Sequence, residues 1–213
     1  MPVAGGPSGR PYHHGDLRRA LIDAAVGVIE HEGLAALSLR DLARRVGVSH
    51  AAPVHHFGDK AGLLTAVAAE GFSKLADALQ RSYAETSSFL ELAVAYVCFA
   101  VGHRAYFEVM FRPELYHADD AQLVETRGRS RELLYGPLAE FRGASAPDAP
   151  RAGLAAWSLA HGLATLLISG NVDRAGEATR DPAELTRTVG RYLFQSSAAS
   201  EAHPRASNAS PDH

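Results

Sequence analysis

Apolar residues recur along this chain at spacings of three and four. Nowhere do they alternate with polar ones over a length that would make a strand. Leu17, Ala20, Leu21, Ala24, Ala25 and Val28 form one stripe on a helix predicted over Asp16–Glu32, which Gly33 ends. Leu39, Leu42, Ala43 and Val46 form a shorter one, and Leu63, Leu64, Val67, Phe72 and Leu75 a longer one over Lys60–Glu85. Further helices are predicted over Ser88–Arg104, Ala105–Phe111, Asp119–Arg142, Pro150–Ser169 and Pro182–Gln195. Thr86-Ser87-Ser88, Arg112-Pro113, Gly143–Pro147 and Gly170–Asp181 separate them, and Pro137 should kink or interrupt the helix that carries it. The fold class is therefore all-α, a three-helix N-terminal head followed by a helical bundle. Residues 1–12 and 196–213, rich in Gly, Pro, Ser and Ala, are expected to be disordered.

The stretch 38–57 reads as two short helices and a tight turn. Ser38 is an N-cap, and Asp41 three residues later puts a negative charge in the first turn. Gly47 supplies the positive φ that ends the first helix, and the small Ala43 lets the second approach closely. Ser49 is expected to cap that second helix, whose apolar side closes with Pro53 and Phe57. Pro53 lacks an amide hydrogen, so it should lie in a tightened, 3₁₀-like first turn. This is a helix-turn-helix, whose second helix fits a DNA major groove. His50, Ala51, Ala52, Val54 and His55 are its candidate groove-facing residues, with His56 beside them. Imidazoles can donate to base acceptors or phosphate, and alanine methyls can meet a thymine methyl. Arg40 can reach a base edge or a phosphate, and the Ser49 hydroxyl a phosphate, whereas Arg44 and Arg45 fit a solvated face.

Ala24-Ala25, Gly33, Leu42-Ala43, Gly47-Val48-Ser49, His55-His56-Phe57, Lys60 and Leu63-Leu64 together resemble the TetR family, named for the tetracycline repressor. The resemblance is close over residues 16–67 and implies that Lys60, at the start of a long helix capped by Asp59, contacts phosphate. Trp157, His161 and Gly162, and the arm Arg10–Leu17, resemble the family's Trp-His-Gly class of ligand domain. Two positions depart from the family pattern. Val54 stands where most members have a phosphate-touching aromatic, and Pro53 where many have leucine. The resemblance implies 13–62 as the DNA-binding domain and 63–195 as the ligand-binding and dimerisation domain.

Charge modifies this picture slightly. The chain carries a net −3, but residues 1–60 hold seven Lys/Arg against six Asp/Glu and six of the eleven histidines. Binding to phosphates follows this local field rather than the total, so each head should bind modestly and gain from dimerisation. The single cysteine, Cys98, forms no internal disulfide or thiolate cluster and sits in an apolar run where burial is expected. The N-terminus lacks a basic start followed by an apolar stretch, Leu92–Val101 is too short to span a bilayer, and His161 and Asn171 flank the apolar stretch near Leu163–Ile168. A cytoplasmic protein without membrane association is expected.

Aromatics concentrate in the C-terminal part. Tyr96, Phe99, His103, Phe107 and Met110, with Trp157 and His161 one turn apart on a later helix, make a candidate small-molecule pocket. The same pattern is also that of an ordinary core, and His161 fits a satisfied core histidine as well as a ligand contact. No carboxylate stands at ligand spacing beside His103 or His161, so neither a metal nor a cofactor is expected. Pro150–Ser169 has broader apolar coverage than one buried face needs. Ala152, Ala156, Leu163 and Leu167, with Leu185, Val189 and Leu193, are therefore candidates for a four-helix dimer interface. The chain should be a ligand-responsive transcriptional regulator, a repressor that binds operator duplex as a homodimer and is released by a small apolar or aromatic effector. The alternative is a helical small-molecule-binding protein with weak or lost DNA recognition, which Val54, Pro53 and the weakly basic head would suit. An enzyme is not expected, because no nucleophile–histidine–acid set, phosphate-binding glycine loop or paired carboxylates stand out.

Overall fold

A computed structural model describes the backbone of residues 14–142, 149–172 and 181–200, and side chains over 17–137, 151–172 and 181–192. The arm with Arg10, residues 201–213, the 143–147 break and the Leu193 side chain lie outside the described residues, whereas residues 196–200, expected to be disordered, continue the last helix to Ser200. The described residues form α1 (His14–Glu32), α2 (Leu39–Val46), α3 (Ala51–Phe57), α4 (Lys60–Thr86), α5 (Phe89–Gly102), α6 (Arg104–Met110), α7 (Ala121–Arg142), α8 (Ala149–Ile168) and α9 (Pro182–Ser200). Among them there is no strand. Short 3₁₀ turns at Leu34–Ala36 and Pro113–Leu115 complete the set.

Two compact units emerge. One comprises the chain up to Ala76 together with His103–Arg131; the other comprises Asp77–Gly102 and the chain from Glu132 onward. The first unit thus extends beyond residue 62, because α4 is one uninterrupted helix whose first half packs with the head.

In the first unit α1, α2 and α3 pack mutually around Leu21, Ala25, Val28, Leu42 and Ala43, all buried. Ser38 caps α2 by accepting the Asp41 amide at 3.2 Å, and Gly47 ends it at φ 77° and ψ 33°. Ser49 acts differently from expectation. The N-cap position of α3 is His50, without a side-chain cap, and the Ser49 carbonyl accepts from the Ala52 amide at 3.0 Å. The i to i+3 bond closes just before Pro53, which is buried as the third residue of an α-helix and not in the 3₁₀ turn expected; among the first amides of a helix, which have no intrahelical acceptor, it needs no amide hydrogen. Asp59 caps α4 through the Gly62 amide at 2.7 Å.

In the second unit α5 packs against both α8 and α9. A bidentate pair from Arg187 to Glu91, at 2.8 and 2.7 Å, joins α9 to α5. Gly190 permits the close approach beside it, since a Cβ there would lie 2.5 Å from a Leu90 methyl. Pro137 lies inside α7 without ending it. It removes only its own hydrogen bond, and the helix continues on both sides. Cys98 is exposed, contrary to the burial expected from its apolar neighbours, because it occupies a face of α5 that the other helices leave open.

Candidate nucleic-acid interface and effector site

Capping and charge pairing together shape the surface of the helix-turn-helix. Asp41, in the first turn of α2, accepts from both Arg44 and Arg45, and Arg45 also reaches Glu32 of α1 at 2.8 Å. These bonds hold the Asp41 carboxyl below its ordinary range. Both arginines are thus partly neutralised and tie α2 to itself and to α1. Arg40 has no acidic partner among the described residues, and with His50, Ser38, Gly47 and Val48 it rims a cleft of about 560 Å³. Arg40, Ser49, His50, Ala51, Val54, His55 and Lys60 are exposed, while Ala52 and His56 are half-buried. Val54 is 51% exposed, a large apolar side chain left in solvent on α3. His56 lines a different cleft, at the α3–α4 corner, with Arg18 and Phe57. The exposed Lys60 ammonium lies 3.5 Å from the Leu34 carbonyl, at the long limit of a hydrogen bond.

The aromatic residues divide between the two units. Tyr96, Phe99, Trp157 and His161 belong to the second, whereas His103, Phe107 and Met110 belong to the first. The chain breaks between α5 and α6 at Gly102-His103, so the two consecutive helices of the sequence pattern serve different cores. Phe107 stacks on Phe111 at 4.9 Å and Met110 packs against Gly71, which makes both core residues of the first unit. In the second unit a polar chain crosses from α8 to α5. Trp157 Nε1 donates to Tyr96 Oη at 3.3 Å, and the Tyr96 hydroxyl lies 2.9 Å from His161 Nδ1. Burial pushes the His161 imidazolium down, so the ring is neutral near pH 7 and its Nδ1 accepts from Tyr96. Burial likewise pushes the Tyr96 phenol up, which keeps it a donor.

Of the expected interface residues, Leu163 and Leu185 are buried within the protomer, where α8 and α9 meet α5. Ala152, Ala156, Leu167 and Val189 are half-buried. Residues with large apolar surface left in solvent are instead Leu154, Leu166 and Tyr192. The segment Arg151–Ile168 is long and apolar enough by composition to cross a membrane, yet only 17% of it is buried in the protomer.

Residues 21–67 match the family described as bacterial regulatory proteins, tetR family, and residues 89–191 match the tetracyclin repressor-like C-terminal domain. The chain belongs to the TetR family of transcriptional regulators. The N-terminal match spans the helix-turn-helix and the start of α4, and the C-terminal match spans α5 into α9. It is similar to the HTH-type transcriptional regulator BetI of Rhizobium meliloti, 43% identical over 60 residues. Those cover 28% of this chain and 30% of BetI, so the chain spans under a third of that relative. A protein of unknown function from Rhodococcus sp. RHA1 is 37% identical with a TM-score of 0.74, over 88% of this chain and 98% of that one. The TetR family regulator PfmR of Thermus thermophilus shares the fold, with a TM-score of 0.62 at 20% identity over 82% and 97% of the two chains.

What sequence reasoning missed in this TetR-family chain is the long-range polar pairing. Arg45–Glu32, Arg187–Glu91 and Trp157–Tyr96–His161 join residues far apart in the chain, and no local spacing announces them.

Proposed function

We propose that the chain is a repressor that binds operator duplex as a homodimer in the cytoplasm and releases it when a small apolar or aromatic molecule binds the second unit. The observation that carries the DNA assignment is the exposed rim of the helix-turn-helix. Arg40 and His50 share one cleft there, while the neighbouring arginines are tied to Asp41 and Glu32. A free guanidinium and an imidazole beside a reading helix suit base edges and phosphates. Lys60 serves as a phosphate contact at the start of α4, and Ser49, His50, Ala51 and His55 present the groove-facing surface.

Dimerisation is supported by the apolar surface that α8 and α9 retain. Leu154, Leu166 and Tyr192 remain in solvent on an apolar segment that the protomer covers poorly. A two-fold copy of the same surface would bury them and set two heads at matching half-sites. The effector reading rests on Tyr96, Phe99, Trp157 and His161, an aromatic set with polar tips, which also fits the Trp-His-Gly class. An effector that bound one arrangement of the dimer better would shift the equilibrium away from the DNA-competent spacing.

Footprinting on the intergenic region upstream of the protein's own gene tests this reading. A protected, roughly palindromic site is expected. Uniform protection, no stronger than on unrelated duplex, would favour the alternative of a ligand-binding protein with lost DNA recognition.

A further inference from the structure

The segment joining α6 to α7 makes contacts that neither DNA reading nor effector binding explains. Tyr116 is buried, and its hydroxyl donates to the Met110 carbonyl at the end of α6 at 2.8 Å. Asp120 caps α7 by accepting the Leu123 amide at 3.0 Å. Between these anchors lies His117, and both its polar ends land on the beginning of α4. Its backbone amide donates to Thr65 Oγ1 at 3.0 Å, and its Nε2 lies 3.5 Å from Asp59 Oδ1. Thr65 is 5% exposed, one of few buried polar side chains among the described residues. Its hydroxyl passes the contact on by donating to the Ala61 carbonyl at 2.8 Å. Asp59 meanwhile caps α4 through Gly62.

The first turn of α4 is in turn locked to the end of α3. A Cβ on Gly62 would lie 1.9 Å from the Phe57 carbonyl oxygen, so the two helices meet with no room to slide. Whatever holds Asp59 and Ala61 therefore holds α3 and Lys60.

We infer that Tyr116–Asp120 is a strap fixing the reading helix in its DNA-competent pose, with Thr65 as its clasp and His117 as a positioning residue. This rests on the assignment of α3 and Lys60 to DNA. It adds two residues that touch no DNA yet set affinity for it. An unpartnered amide at the buried Thr65 site is costly, so loss of the hydroxyl should free the strap.

The test uses the full chain and duplex from its upstream intergenic region, titrated in the cold with the active fraction counted by stoichiometric binding. Thr65→Val should weaken binding by about three- to tenfold, the effect of losing one hydrogen bond of ordinary net strength. The log-affinity against log-salt slope should be unchanged, because no phosphate contact is removed. Thr65→Ser should restore wild-type affinity. His117→Ala, which keeps the backbone amide on Thr65 and removes only the long contact to Asp59, should weaken binding less than Thr65→Val and at the same slope. A merely structural residue would lower the active fraction and leave the affinity of active molecules alone. Wild-type affinity in Thr65→Val, a larger loss in His117→Ala than in Thr65→Val, or failure of Thr65→Ser to restore binding overturns the strap. A wild type that binds no duplex overturns the DNA assignment itself, and the strap with it.

Discussion

Two side chains, Val54 and His161, bear on DNA affinity and on stability respectively. Val54 is exposed on α3, and under the proposed function a hydroxyl at this position would reach phosphate. Val54→Tyr should tighten binding by about 1 kcal/mol, the usual net value of one hydrogen bond. The gain should be equal on specific and unrelated duplex, since phosphate carries no sequence information. Gel-shift titration of both duplexes checks this, and weaker binding would mean that Val54 itself makes a required apolar contact. His161 makes the opposite kind of statement. Burial lowers its pKa from the ordinary 6.5, so the unfolded chain binds a proton more readily than the native one. The stability this group contributes is complete above 6.5 and is lost as pH falls. Thermal unfolding at about pH 7.5 and about pH 5.5 should show an acid loss that is smaller in His161→Gln. The same acid loss in both proteins would contradict a buried neutral imidazole.

At the scale of elements, the helix-turn-helix was legible because its signals are local. Ser38, Asp41 and Gly47 mark cap, first turn and exit within ten positions, and each has that role in the structure. Ser49 departs from the general preference of serine for the cap: α3 begins after His50, and at its start the Ser49 carbonyl, rather than its hydroxyl, accepts the Ala52 amide. The aromatic set was only half legible. Periodicity places residues on a helix face but cannot say which core that face joins, and the break at Gly102-His103 sends Phe107 and Met110 to the first unit. Gly47 tests the local reading directly. Its φ of 77° strains any side chain, so Gly47→Ala should destabilise the protein by about 1 kcal/mol, read as a lower urea midpoint with unchanged slope. An unaltered midpoint would mean that the turn tolerates another geometry.

For the whole molecule, the question is what covers α8 and α9. Burial already accounts for Leu163 and Leu185 inside the protomer, which shifts the expected seam to Leu154, Leu166 and Tyr192. Leu166→Arg should place an unpaired charge in that seam, at a cost of several kcal/mol to the dimer and little to the protomer. Sedimentation should show a dimeric wild type and a monomeric Leu166→Arg with an unchanged circular dichroism spectrum. A dimer that survives the substitution would move the interface elsewhere.

If two heads bind one duplex through a small set of phosphate contacts, salt-dependent titration of the upstream intergenic duplex will register it. Two protomers should bind each site, with an affinity that falls steeply with salt. In Lys60→Ala the log–log slope should be shallower by roughly one counterion per head, because each lysine removes one phosphate contact. One protomer per site, or a slope unchanged by Lys60→Ala, would contradict it.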